Sequence, residues 1–266
     1  MPAFNKGNVI RGGFGSAFRR LVCHSNCRDP ERCDLRFVCP YTAVFHPFVP
    51  KASEKISRNR DIPRPFVIKP PLETRETYGA GERLCFDLIV VGKTKDYLPH
   101  FIVTFKELSH VGLGRSRTTC ELASVEALTA HGEAATVFSS GDNMVRPPKD
   151  AIRWPDLLMN GSSPKGVRRI RLEFLTPTAL KVDGRMAERP SFSHILKRLR
   201  DRVNALSYFY CGQGLDIDFK AFGEMAERVV TTQDRTCWVN SSRYSRRRDV
   251  DHDLSGFIGE VEFEGD

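Results

Sequence analysis

Residues 167–212 read VRRIRLEFLTPTALKVDGRMAERPSFSHILKRLRDRVNALSYFYCG, a strand, a turn and a long helix in succession. Ile170, Leu172 and Phe174 alternate with Arg169, Arg171 and Glu173, the period-two pattern of a half-buried strand. Thr176-Pro177 is expected to end it, because proline donates no ladder hydrogen bond. Asp183-Gly184 signals a turn. A helix then starts near Pro190 to Ser193, with Ser191 or Ser193 as its cap. Phe192, Ile195, Leu196, Leu199, Val203 and Leu206 form one apolar stripe. Lys197, Arg198, Arg200 and Arg202 line much of the rest, and Cys211-Gly212 stops the helix. On physics alone this is a helix packed on a sheet, with a solvated basic face.

The rest of the chain fits a polyanionic partner, or by charge alone an anionic membrane surface. Its 266 residues suffice for a real core, in one large domain or two small ones. The net charge of +8 and pI near 9.2 favour a polyanion. No apolar run approaches the ~20 residues that span a bilayer, and the N-terminus lacks the apolar core of a secretion signal. The expected setting is cytoplasmic and away from membranes. The eight cysteines then point to thiols or metal rather than a disulfide framework.

Residues 7–23, GNVIRGGFGSAFRRLVC, place Ile10, Phe14, Ala17, Phe18 and Leu21 at helical spacing. Gly12, Gly13 and Gly15 are costly inside a helix, about 1 kcal/mol each against alanine. Close backbone approach to a strand or to phosphates would explain them, as would a glycine-softened packing helix. Cys23, Cys27, Cys33 and Cys39 follow within seventeen residues. Four thiolates suit a closed structural zinc site first and an iron–sulfur cluster second. His24 is a further donor, and free or redox-active thiols are the alternative.

Residues 46–82 read as a long, proline-rich basic loop, and 85–92 as an apolar strand. LPHFIVTFKEL, 98–108, fits a strand or a short helix. A glycine turn with Arg115 and Arg117 runs into an alternating strand before Leu128. Residues 130–166 are polar and place the domain connection near Arg146, giving domains 1–145 and 146–266. Arg243, Tyr244, Arg246, Arg247 and Arg248 form the densest basic cluster, with an aromatic suited to stacking on single-stranded RNA.

LEFLTPT, KVDGR, the PSF helix start, the RVNAL helix end and the late RYS-basic-GFIGEVEFEG run together resemble the Cas-six family. These are CRISPR precursor-RNA processing endoribonucleases of the RAMP superfamily. FNKGNVIRGGFGSAFRRLVC resembles the family's first helix, and the resemblance makes 98–108 helical. It implies an α+β fold of two tandem ferredoxin-like (RRM-like) domains with antiparallel sheets, the cysteines forming an insertion at 23–39. It also implies that the family's first strand and terminal glycine-rich segment are lacking here, leaving both ends incomplete.

The activity implied is metal-independent cleavage of CRISPR repeat RNA, with no catalytic cofactor. The 2′-hydroxyl attacks the adjacent phosphate and leaves a 2′,3′-cyclic phosphate. Such a reaction needs proton transfer and a cation for the extra charge. Among the histidines, the family's habit of placing one in or after the first helix favours His24 or His46. Lys6 and Arg11 are candidate phosphate-stabilising cations. The expected RNA-binding set is Arg11, Arg19, Arg20, Arg115, Arg117, Arg198, Arg202, Arg243, Tyr244 and Arg246 to Arg248. Two alternatives stay open: a non-cleaving RNA-binding subunit of a CRISPR effector complex that holds crRNA beside other subunits, and a zinc-dependent nucleic-acid-binding adaptor.

Overall fold

The structure is a computed structural model that describes residues 6–23, 27, 29–47, 62–114, 116–159, 166–182, 184–245 and 250–265. Side chains at 154, 158–159 and 242–252 lie outside that description. The chain divides into two compact units: 1–163 with 205–214, and 164–204 with 215–266. Both combine helices with antiparallel strand pairs, an α+β architecture.

The first unit is built on α1 (Lys6–Val22). Ile10, Phe14, Ala17 and Phe18 are wholly buried, as their spacing predicts, whereas Leu21 is left exposed. Phe14 is the hub of a phenylalanine core. Its ring lies 4.7 Å from Phe105, 5.1 Å from Phe101, 5.5 Å from Phe18 and 5.6 Å from both Phe45 and Phe66. Apart from Phe18 on α1 itself, those partners come from α2 (Pro40–Phe45), β1 (Phe66–Lys69) and α3 (Leu98–Val111).

The helix glycines allow this crowding. A Cβ at Gly13 would stand 2.9 Å from Leu113, and one at Gly15 would stand 3.1 Å from the Phe45 ring. They serve close protein packing, and their helix-propensity cost is offset by buried aromatic area. β2 (Asp87–Val90) pairs with β1, and β3 (Ser124–Leu128) pairs with β4 (Ala134–Ser139). The polar 130–166 stretch therefore contains a strand. It continues into the short helix α4 (Trp154–Met159).

The second unit holds β5 (Arg169–Thr178), the β6 (Lys181–Val182) and β7 (Arg185–Met186) hairpin, α5 (Phe192–Leu206) and α6 (Phe219–Glu227). β8 (Val230–Val239), a hairpin of β9 (Ser242–Ser245) and β10 (Val250–Asp253), and β11 (Gly256–Glu264) follow. The sheet order is β5-β11-β8, all antiparallel, with β11 in the middle. Helices between the first two strands and a hairpin return to the centre give a ferredoxin-like order.

One expectation at β5 needs correction. Pro177 does not end the strand, which runs to Thr178 opposite Phe257. β5 pairs on one side with β11 and is otherwise an edge among the described residues, where a missing N–H is tolerated.

The helix boundaries follow the sequence. The Ser191 hydroxyl accepts from the His194 N–H at 3.4 Å. The last turn is a π turn, 207–211, closed by Gly212 at φ +96°. α5 and α6 pack closely: a Cβ at Gly223 would stand 3.2 Å from Lys197, whose ammonium pairs with Glu227 at 2.5 Å.

Candidate nucleic-acid interface

In the first unit the helix–glycine-turn element is a real spatial unit. Leu113 presses on Gly13, and Gly114 sits beside Val9. The turn closes through reciprocal hydrogen bonds between Leu113 and Thr118, 2.8 and 3.1 Å. Gly112 must be glycine, because at φ +74° a Cβ would lie 2.2 Å from the Arg117 carbonyl oxygen. Arg117 is exposed and itself at φ +50°, a left-handed conformation rare for a side-chain-bearing residue. The strained turn thus presents an arginine to solvent beside α1. Arg115 lies outside the described residues.

Basic residues on α1 divide by exposure. Arg20 is exposed in the last turn. Arg11 is half-buried, its guanidinium 5.9 Å from the Phe66 ring. Arg19 is half-buried too, donating to the Cys27 carbonyl at 3.0 Å and lying over Tyr41.

Lys6 is the surprise. Its side chain is 1% exposed, its ammonium donates to the Glu73 carbonyl, and the Glu73 carboxylate lies 4.0 Å away. The Tyr78 ring is 5.7 Å off, and the Tyr78 hydroxyl donates to Glu73. Burial and the Glu73 carboxylate push that hydroxyl up to about 12. Arg75 pairs with Glu82 and lies over the Tyr78 ring. The Gly79 N–H and Arg75 hold Glu82 below its usual range. In sequence this segment reads as part of a basic loop; its E-x-x-E-x-Y spacing, Glu73, Glu76 and Tyr78, is the signal of the acidic and aromatic surroundings that Lys6 meets.

His46 closes α2, half-buried, with its ring 5.4 Å from Tyr41. His24 lies outside the described residues. The Cys27 thiol is crowded by those of Cys23 and Cys33, and this crowding with burial pushes it up to about 12. Among the described residues no three His, Cys, Asp or Glu side chains stand as a ready metal cage.

In the second unit Arg198 is tied to the Lys181 carbonyl, 3.1 Å from Nε, which fixes α5 against the β6 hairpin. Arg202 is exposed. Arg243 and Tyr244 stand on β9, opposite His252 and Asp251 in register. Arg246, Arg247 and Arg248 lie outside the described residues. Among the described residues no helix is long and apolar enough to cross a membrane.

Comparison with known proteins gives these arrangements a family. Residues 1–150 match the family model AF_1859_N, described as an N-terminal domain, and residues 172–266 match CRISPR-associated endoribonuclease Cas6. An uncharacterized protein of Archaeoglobus fulgidus is 26% identical over 207 residues, 74% of this chain. The chain spans 62% of that relative's length. A solved Cas6 product complex superposes with a TM-score of 0.53 at 16% identity, covering 99% of this chain and 80% of that one. A second Cas6 product complex, also 16% identical, covers 76% of this chain and 68% of that one with a TM-score of 0.35. By these matches the chain belongs to the AF_1859_N family, whose model covers residues 1–150, while residues 172–266, the β5-to-β11 unit, match the Cas6 endoribonuclease model and the fold is the α+β, ferredoxin-like one of the first Cas6 complex.

Proposed function

We propose that the protein matures CRISPR RNA, binding repeat RNA of the precursor transcript and cutting it within the repeat. The observation that carries this reading is the Cas6 family match over 172–266, the span that builds the β5-β11-β8 sheet and its helices. The +8 charge and the exposed Arg20, Arg117 and Arg202 supply what a phosphate backbone requires.

The chemistry proposed is attack of a ribose 2′-hydroxyl on the adjacent phosphate, without metal. His24 or His46 takes the proton, an acid returns one to the 5′-leaving oxygen, and an arginine stabilises the charge gathering on phosphorus. Proton transfer of this kind contributes typically about 10²–10⁴-fold. Arg117 is the described cation best presented for the last role.

One observation favours a second reading, an RNA-holding CRISPR subunit that does not cut. The Lys6 ammonium, a candidate for stabilising phosphate, is committed to Glu73 inside the protein. The test is single-turnover incubation with repeat RNA from the same locus in EDTA, read on denaturing and native gels. One discrete cut ending in a cyclic phosphate supports maturation. A native shift with intact RNA supports the holding subunit. Neither shift nor cut refutes both.

A further inference from the structure

We infer that a cavity of the first unit is a guanine-binding site, filled by an unpaired guanosine of the bound RNA. This rests on the reading that the protein binds repeat RNA. The cavity measures about 280 Å³ and is bordered by the C-terminal half of α3, the segment leading into β3, and the end of β4 with the turn that follows it. That volume lies at the lower edge of the roughly 300–1,000 Å³ usual for small-molecule pockets, so it suits one nucleoside rather than a larger cofactor.

Three observations carry the assignment. First, apolar and polar groups are divided as a base requires. Half-buried Leu122 and buried Phe138 give the cavity an apolar lining for a flat ring. Ser109, Glu121 and Ser140 border it with polar groups, and among the described residues their side chains make no hydrogen bond or ion pair. Second, the cation at the rim is held in place. Lys106 Nζ donates to Asn143 Oδ1 at 2.7 Å. Asn143 is itself set by a left-handed backbone, φ +56°, and by its N–H donating to the Ser139 carbonyl at 3.0 Å. The Met144 N–H and the Arg146 guanidinium hold Asp142 beside it. An ammonium has three donors, so Lys106 keeps others for an acceptor in the cavity.

Third, the placement and sign of charge select the base. The segment that brings Glu121 and Leu122 to the cavity continues from the glycine turn that presents Arg117 to solvent. A carboxylate repels the phosphate backbone such an arginine attracts, so Glu121 serves an RNA surface only by reading bases. Among the four bases guanine alone offers a carboxylate two adjacent donors, its ring N–H and its exocyclic amine, with the O6 acceptor next to them for an ammonium. Adenine, cytosine and uracil each present a single donor group on that edge.

The experiment titrates the full chain against repeat RNA from the same locus on native gels, each guanosine replaced in turn by inosine, which lacks the exocyclic amine. At one position inosine is expected to weaken wild-type binding about 10-fold, the scale of one well-made base contact, and to leave binding by Glu121→Ala unchanged. The comparison of the two proteins removes any effect of inosine on pairing within the RNA. Glu121 is exposed, and thermal unfolding checks that the variant is folded. A second arm offers guanosine monophosphate alone, read by saturation-transfer NMR against the adenosine, cytidine and uridine monophosphates. RNA binding with no inosine position that depends on Glu121 overturns the inference and leaves the RNA reading standing. Absence of RNA binding refutes that reading; guanosine-selective transfer that Glu121→Ala abolishes then upholds the guanine site with a free nucleotide as its source, and no selective transfer overturns both.

Discussion

Replacing Lys6 by methionine separates a structural from a catalytic role for its ammonium. The side chain is 1% exposed, and its charge is held by the Glu73 carbonyl. Methionine fills most of the stem's space and removes the donor. The carbonyl then loses a charge-assisted hydrogen bond, a cost of about 1.5–3 kcal/mol. The Glu73 carboxylate is 44% exposed, so losing its pairing adds at most about 0.5 kcal/mol. Relief of the ammonium's desolvation works in the other direction. The net expectation is a loss of about 1–2 kcal/mol.

Lys6→Ala also deletes three buried methylenes, about 0.8 kcal/mol each, and should fall about 2 kcal/mol further. Urea denaturation should therefore rank wild type above Lys6→Met above Lys6→Ala. At a temperature where all three are folded, repeat-RNA cleavage should stay within a few-fold for Lys6→Met. A methionine variant as stable as wild type refutes the structural tie. Undiminished stability with a loss of more than about 10²-fold in single-turnover rate returns the ammonium to the phosphate.

Other outcomes follow from single residues. Burial raises the Asp234 carboxyl, but hydrogen bonds from the Thr236 N–H and hydroxyl and the Arg189 guanidinium at 3.3 Å outweigh it, so the net shift is downward. Its stabilisation is present above the ordinary carboxylate range and lost as pH falls through the depressed value. Asp234→Asn should thus cost about 1 kcal/mol at neutral pH, and urea titrations should show the gap closing in acid. Arg117→Gly relieves the left-handed strain and should raise stability by about 0.5–1 kcal/mol while weakening RNA binding and lowering its salt slope by about one. Equal affinity and slope would remove Arg117 from the interface. Gly259→Ala puts a Cβ 2.6 Å from the Arg235 carbonyl oxygen at φ +108°, and thermal unfolding should show a loss of about 3 kcal/mol.

Much of the frame was legible because apolar periodicity is local. Ile10, Phe14, Ala17 and Phe18 announced a buried helix face, and the Ile170–Leu172–Phe174 alternation announced β5. The 98–108 segment is helical, as the resemblance implied and as its apolar run alone left undecided. What sequence hid was tertiary. The reason for Gly13 and Gly15 lies in Leu113 and Phe45, far along the chain. Glu73 claims Lys6 across 67 positions, so a lysine that reads as a free cation is an internal tie. Pro177 stays in its strand because β5 has one partner, a property no local pattern encodes.

The β5-β11-β8 order also bears on how the protein is made. β5 and β8 never pair with each other; both pair with β11, which follows them in the chain. Glu260 meets Arg171 across 89 positions. During synthesis, then, α5 and α6 can form early from local contacts, but the sheet beneath them cannot. Two strands with open edges must wait on or near the ribosome until residues 256–264 emerge, an interval in which the apolar face of β5 is available to other chains. Slowed translation after β8 should therefore favour aggregation, and chaperone capture of nascent chains should peak before β11 is released and fall once it is.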